Sequence, residues 1–225
     1  MRVLKILIAR SIWLFPISYM NPQGKAVDAD VIALLKKTYQ FQKYPSSQFD
    51  FDSGTQALTF AGGKFKAGYE ANGKERYIAV DLVIYKDGLV ANTTSSTKDS
   101  DSFLDEGLRL VVNEFGLVPP HPTPQKIHLN EMDIQLDRSI NILNPKLAQL
   151  AGRIADLRTE TPKIAFEFSG VSFLPQPDVQ TRISGFHIER KINTDWSKNI
   201  YYTKAPLQTE THLKLLEEFE ALLSQ

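Results

Sequence analysis

Cysteine is absent from the 225 residues. That removes disulfides, thiolate metal ligation and a cysteine nucleophile, and it suits a reducing compartment, so the expected location is the cytoplasm. An excess of one charge is missing too: 26 basic side chains stand against 26 acidic ones, with a pI near 6.9. No net field therefore steers the chain toward nucleic acid or an anionic membrane. Long hydrophobic runs are also lacking. No stretch approaches the roughly 18 to 20 apolar residues of a membrane span. The basic, apolar opening from Met1 to Arg10 is interrupted by Lys5 and Arg10 before it reaches the length of a signal h-region. No membrane association is expected. Gly62-Gly63-Lys64 lacks the spacing of a phosphate-binding P-loop, and no cofactor motif stands out, so no cofactor is expected. What is present is 42% hydrophobic content, enough for a sizeable core.

The chain reads as the same series of elements written twice: strand, helix, four strands, helix. Residues 3 to 15 form the first strand. Asn21-Pro22-Gln23-Gly24 is a turn cluster, and Asp28 stands as N-cap before the stripe Val31, Ile32, Leu34, Leu35 and Tyr39. Pro45-Ser46-Ser47 ends that helix. Residues 57 to 60 and 64 to 69 read as two short strands with Gly62-Gly63 as their hairpin turn. From Tyr77 to Tyr85, Ile78, Val80, Leu82 and Ile84 alternate with the other face of a strand. Asp87-Gly88 turns into a strand from Leu89 to Thr94. A polar loop then leads to a helix capped by Ser100 or Asp101, striped by Phe103, Leu104, Leu108, Val111, Val112 and Phe115, and stopped at Gly116.

Four prolines between Pro119 and Pro124 cannot continue a helix or central strand, and they mark the joint between halves. Residues 126 to 137 form the next strand, with a change of apolar parity that suggests a bulge near Asn130-Glu131. Asn144-Pro145 echoes Asn21-Pro22, and Leu147, Leu150, Ala151, Ile154 and Leu157 form the next helical stripe. Ile164, Phe166 and Phe168 alternate as a strand, Ser169-Gly170 turns, and Val171 to Leu174 follows. Ser184, Phe186 and Ile188 alternate like Val80, Leu82 and Ile84. Asn199 to Thr203 is the last strand, and Thr209 or Thr211 caps a helix striped by Leu213, Leu216, Phe219 and Leu223. Gly63 falls opposite Gly170 and Pro45 opposite Pro162, although residue identity between the halves is almost nil. The expected fold is α+β: two similar β-α-β4-α halves, an antiparallel curved sheet, and helices packed on one face. The boundaries are residues 1–118, a proline-rich joint at 119–125, and residues 126–225.

This order of elements resembles the fold of the TATA-box-binding proteins, whose two repeats make a saddle. The resemblance is one of topology and carries no motif. It implies an exposed sheet face that grips the DNA minor groove with basic residues and wedged phenylalanines. In this chain the non-core parity exposes Tyr77, Asp81 and Tyr85, then His187, Glu189 and Lys191, then Asp133, Gln135 and Asp137. Carboxylates on that face repel phosphates, and DNA affinity rests largely on phosphate neutralisation, so duplex DNA is disfavoured as a partner.

Candidate chemistry is sparse. His128, Glu131 and Asp133 are the residue types of a metal or proton-transfer site. In a strand, however, His128 and Glu131 point to opposite faces, and a solvated strand face accounts for them more simply. No metal site and no catalytic residue is assigned. His212, in the first turn of the last helix, suits a neutral ring. The hydroxyl-rich run from Thr93 to Ser102 precedes a helix N-terminus, where an anion can sit. Asp99 and Asp101 are better placed to satisfy those amides themselves. Trp196, in a turn, has the character of a partner-binding anchor.

The leading expectation is a non-catalytic binding or assembly protein that engages a protein partner through its open sheet face or rim. The binding residues would be Tyr77, Asp81, Tyr85, Asp133, Gln135, His187, Glu189 and Trp196. A second reading is a single-stranded nucleic-acid or nucleotide binder, with Tyr77, Tyr85, Tyr201 and Tyr202 as stacking surfaces. A third is a hydrolase or transferase at the junction of the halves, using Asp133, Asp137 and His187.

Overall fold

The computed structural model describes residues 1–26, 28–46, 57–159, 162, 164–176 and 184–224; Ser47, read as part of the turn after the first helix, lies outside them. The fold is α+β, and its two halves share one order. The first runs β1 (Arg2–Leu14), α1 (Asp28–Tyr39), β2 (Ala57–Tyr69), β3 (Glu75–Tyr85), β4 (Gly88–Thr93) and α2 (Thr97–Phe115). The second runs β5 (Gln125–Gln135), α3 (Pro145–Leu157), β6 (Gly170–Phe173), β7 (Phe186–Arg190), β8 (Ile200–Ala205) and α4 (Thr209–Leu222). A 3-10 turn follows the first strand in each half, Ile17–Met20 and Ile140–Leu143. Hydrogen bonding orders the strands β2-β3-β4-β1 in one half and β6-β7-β8-β5 in the other, the same arrangement twice. The pairings β1/β4, β2/β3, β3/β4, β6/β7 and β7/β8 are all antiparallel.

Among the described residues each half has three strands after its first helix, where the sequence suggested four. Gly62-Gly63 is a bulge inside one long strand and not a hairpin turn: the β2/β3 register shifts between Phe60 and Gly63. The chain after α1 explains this, because Lys43 pairs with Ala61 and the ring of Phe41 lies against Gly63. A Cβ at Gly63 would sit 2.4 Å from that ring. Gly62 takes a positive φ of 67°, and its N–H donates to Asp81 Oδ1 at 2.8 Å. In the second half, residues 164 to 169 form no strand despite their alternation.

By contact the chain divides into two compact units: 8–130 with 207–209, and 1–7 with 131–206 and 210–225. In the first unit, α1 and α2 cover one face of the sheet. Ile32, Leu35 and Tyr39 of α1 and Phe103, Leu104 and Val111 of α2 pack on Trp13, Phe60, Phe65, Val80, Leu82 and Leu89. Tyr39, Phe41, Phe65 and Phe103 meet largely edge to face, with the rings of Tyr39 and Phe103 4.8 Å apart. Such pairs add to the burial of their area. α2 starts at Thr97, several residues before the expected cap. Ser96 is the N-cap, its hydroxyl accepting from the Asp99 N–H, and Gly116 closes the other end in the left-handed region. Thr97 and Thr209 satisfy each other reciprocally, each backbone N–H donating to the other's Oγ1 at 3.0 Å. In the second unit Met132, Ile134, Leu136, Ile140, Ile188, Tyr201, Leu216 and Leu223 form the core.

Candidate functional site

In the second unit the alternation of β5, β7 and β8 sends Met132, Ile134, Ile188, Tyr201 and Thr203 inward. Glu131, Asp133, Gln135, His187, Glu189, Tyr202 and Lys204 take the opposite parity. Asp133 is nevertheless buried, its side chain only 6% exposed, because Lys191 folds over it as an ion pair. Gln135 is held at both ends: it accepts from Arg2 Nη2 at 2.9 Å and donates to the Lys198 carbonyl at 3.0 Å. Glu131 lies 3.6 Å from the Lys204 ammonium. Burial, and then a hydrogen bond to Glu131, push the Tyr202 phenol above its ordinary range. His187 Nδ1 lies 2.9 Å from Ser172 Oγ, and Glu189 is exposed. The order β5-β8-β7 separates Asp133 from His187 by two strand spacings, about 9.5 Å, so the pair invoked for catalysis is not within hydrogen-bonding reach. Among the described residues no group of three or more His, Asp or Glu is arranged to hold a metal.

The rim of this unit is apolar. Asn144 caps α3 by accepting from the Lys146 and Leu147 N–H groups, with Pro145 at the first helical position, a strong start signal. The expected fold packs the helices on the sheet, but the stripe of α3 is not covered: Leu150, Ile154 and Leu157 are 54%, 42% and 70% exposed, and only Ala151 is buried. Ile142 and Leu143, in the 3-10 turn ahead of α3, are exposed as well. Trp196, 40% exposed, sits in a short 3-10 turn capped by Asp195. Arg190 ties that turn to the same rim, donating to the Trp196 carbonyl at 3.0 Å and to Ser139 Oγ at 3.3 Å.

In the first unit Tyr77 is exposed on β3, and the Lys64 ammonium lies 4.3 Å from its ring centroid. Lys66 lies similarly over Tyr69. Glu75 joins the two pairs, accepting from Lys66 and from the Tyr77 hydroxyl, and those bonds hold its carboxyl below the usual range. Asp81 is committed to the Gly62 bulge. Tyr85, at the end of β3, is half-buried. Asp99 and Asp101 lie inside α2, and Ser96 caps its amides in place of either carboxylate. Asp99 receives a fork from Arg76 at 2.7 and 3.2 Å. Asp101 accepts from Trp13 Nε1 at 2.8 Å and pairs with His128 Nε2 at 2.9 Å. Burial alone would raise the Asp101 carboxyl, but the bonds from His128 and Trp13 outweigh it and hold it low. Tyr201, named as a stacking surface, is fully buried, and its hydroxyl accepts from the Ile140 N–H.

The α3 rim and the Tyr69, Lys64 and Lys66 cluster were not among the expected binding residues, and Asp133, expected on the open face, is buried. The lysines alternate with Phe65 along β2, so a period of two was there to be read across Gly62-Gly63.

No protein-family model and no curated protein matches the chain. Among solved structures it is similar to the Methanococcus jannaschii TBP, at 12% identity over 96% of this chain and 95% of that one, with a TM-score of 0.43. No described helix is long and apolar enough to cross a membrane.

Proposed function

We propose that this is a non-catalytic binding protein that engages a protein partner through the apolar rim of its second unit. One observation carries the reading: α3 turns Leu150, Ile154 and Leu157 to solvent, whereas its counterpart α1 buries Ile32, Leu35 and Tyr39. Apolar clusters left open on a surface and rimmed by polar residues mark interaction sites; Gln149, Arg153 and Asp156 supply the rim here. Trp196 offers the large anchor that interfaces favour. The groups best suited to proton chemistry are held in structural contacts: His128 by Asp101, His187 by Ser172 and Asp133 by Lys191. The test is affinity isolation of the tagged chain from its native host, with and without nuclease, beside a Leu150→Glu/Leu157→Glu variant. The expected result is a protein retained by the wild type in nuclease and in salt and lost from the variant, whose thermal unfolding is unchanged. Equal capture by both chains, or complete release by nuclease, contradicts it.

A second reading, binding of single-stranded nucleic acid, is favoured by the exposed Tyr69 and Tyr77 with Lys64 and Lys66 against their rings. Aromatic faces beside cations are how strands are held without sequence preference. Under this reading a labelled twelve-residue oligothymidylate binds with steep salt dependence, and Tyr77→Ala weakens it; anisotropy that stays flat at low salt removes it.

A further inference from the structure

Within the first unit, between α1, α2 and the sheet, lies a cavity of about 420 Å³. Small-molecule sites run from roughly 300 to 1,000 Å³. Its walls are aliphatic: Val31 and Leu35 from α1, Leu104 and Leu108 from α2, Leu82 and Leu89 from the strands. Water finds few hydrogen-bond partners against such walls, whereas an aliphatic chain gains with each increment of surface it buries there.

The polar lining is small and differs from the walls in kind. It comprises Ser18, Asn21, Asp28, Tyr85 and Lys86. Asn21 is already engaged, its amide donating to the Lys25 carbonyl at 2.8 Å and accepting from the Lys25 N–H at 3.0 Å. Asp28 is in the first turn of α1, where a carboxylate complements the helix dipole. That leaves the Ser18 hydroxyl, the Tyr85 phenol and the exposed Lys86 ammonium as donors without a hydrogen-bond partner among the described residues. One cation and two hydroxyls are the groups that receive a carboxylate, and charge-assisted bonds of this kind are the stronger ones. Lys86 itself is fixed at the start of the β3–β4 turn, its carbonyl accepting from the Ile17 N–H at 3.0 Å.

We propose that this cavity binds a fatty acid, its acyl chain among the leucines and its carboxylate at Lys86, Ser18 and Tyr85. The site lies in the first unit and does not depend on the rim of the second. The full chain is titrated calorimetrically with dodecanoate, dodecylamine and dodecanol below their micellar concentrations. Dodecanoate binds one to one and raises the melting temperature, and dodecylamine binds at least tenfold more weakly. Val31→Phe, which fills the cavity, abolishes binding. Lys86→Glu, on an exposed side chain that no core packing requires, weakens dodecanoate about tenfold, the worth of one charge-assisted contact, and reverses the preference toward the amine. The proposal is overturned if dodecanoate shows no saturable binding, if dodecylamine matches it on the wild type, or if Lys86→Glu binds the acid unchanged.

Discussion

His212 is fully buried, with Nε2 3.2 Å from Thr203 Oγ1 and its ring edge-on to Phe186. Burial draws its pKa down from 6.5 to about 4. Between those values the unfolded chain holds a proton that the folded chain does not. The contribution is therefore present above about pH 6.5 and is lost as pH falls toward 4. Urea unfolding followed from pH 7 to pH 4 should show the midpoint dropping through that window, with a shallower fall in His212→Gln. Asp133 makes a complementary case. Its Oδ1 is buried without a hydrogen-bond partner among the described residues, and Lys191 supplies the balancing charge at its other oxygen. Removing the cation strands the carboxylate, whereas removing the charge does not. Lys191→Met should cost about 2 kcal/mol and Asp133→Asn less, as read by denaturant midpoints. Both residues were visible in the sequence, but their pairing was not: 58 residues separate them.

At the scale of elements, α1 and α3 occupy the same place in their halves and carry similar stripes, yet only α1 is covered. Leu35→Ala should cost about 2 to 4 kcal/mol through lost burial and a cavity, while Leu157→Gln should stay within about 0.5 kcal/mol; thermal melts of the two variants check the contrast. Periodicity made α3 legible as a helix with an apolar stripe. It does not report what, if anything, lies against that stripe. The bulge in β2 failed for a related reason. Adjacent glycines are the usual mark of a two-residue hairpin, and the contrary information lay in Phe41 and Lys43, some twenty residues earlier. With its Cβ aimed at the Phe41 ring, Gly63→Ala should destabilise by about 1 to 3 kcal/mol through overpacking, more than a solvent-facing glycine would.

For the molecule as a whole, the doubled order of elements could be read from turns and periodicity because each element carries its own local signal. The shared strand order, second-third-fourth-first in both halves, rests on long-range pairing that no short window contains. Seventeen buried residues form the core cluster of the first unit among the described residues, against eight in the second. Backbone amides of β7 and β8 should therefore exchange sooner than those of β3 and β4 when followed by mass spectrometry, since local opening follows buried apolar contact. The protein-partner reading meets its most direct test in site-specific photocrosslinking inside the native host, with a benzophenone side chain placed at Leu157 and, separately, at Tyr77. The expected result is a discrete protein adduct from position 157 and none from position 77. Absence of an adduct at 157, or nuclease-sensitive adducts at 77 alone, would contradict it.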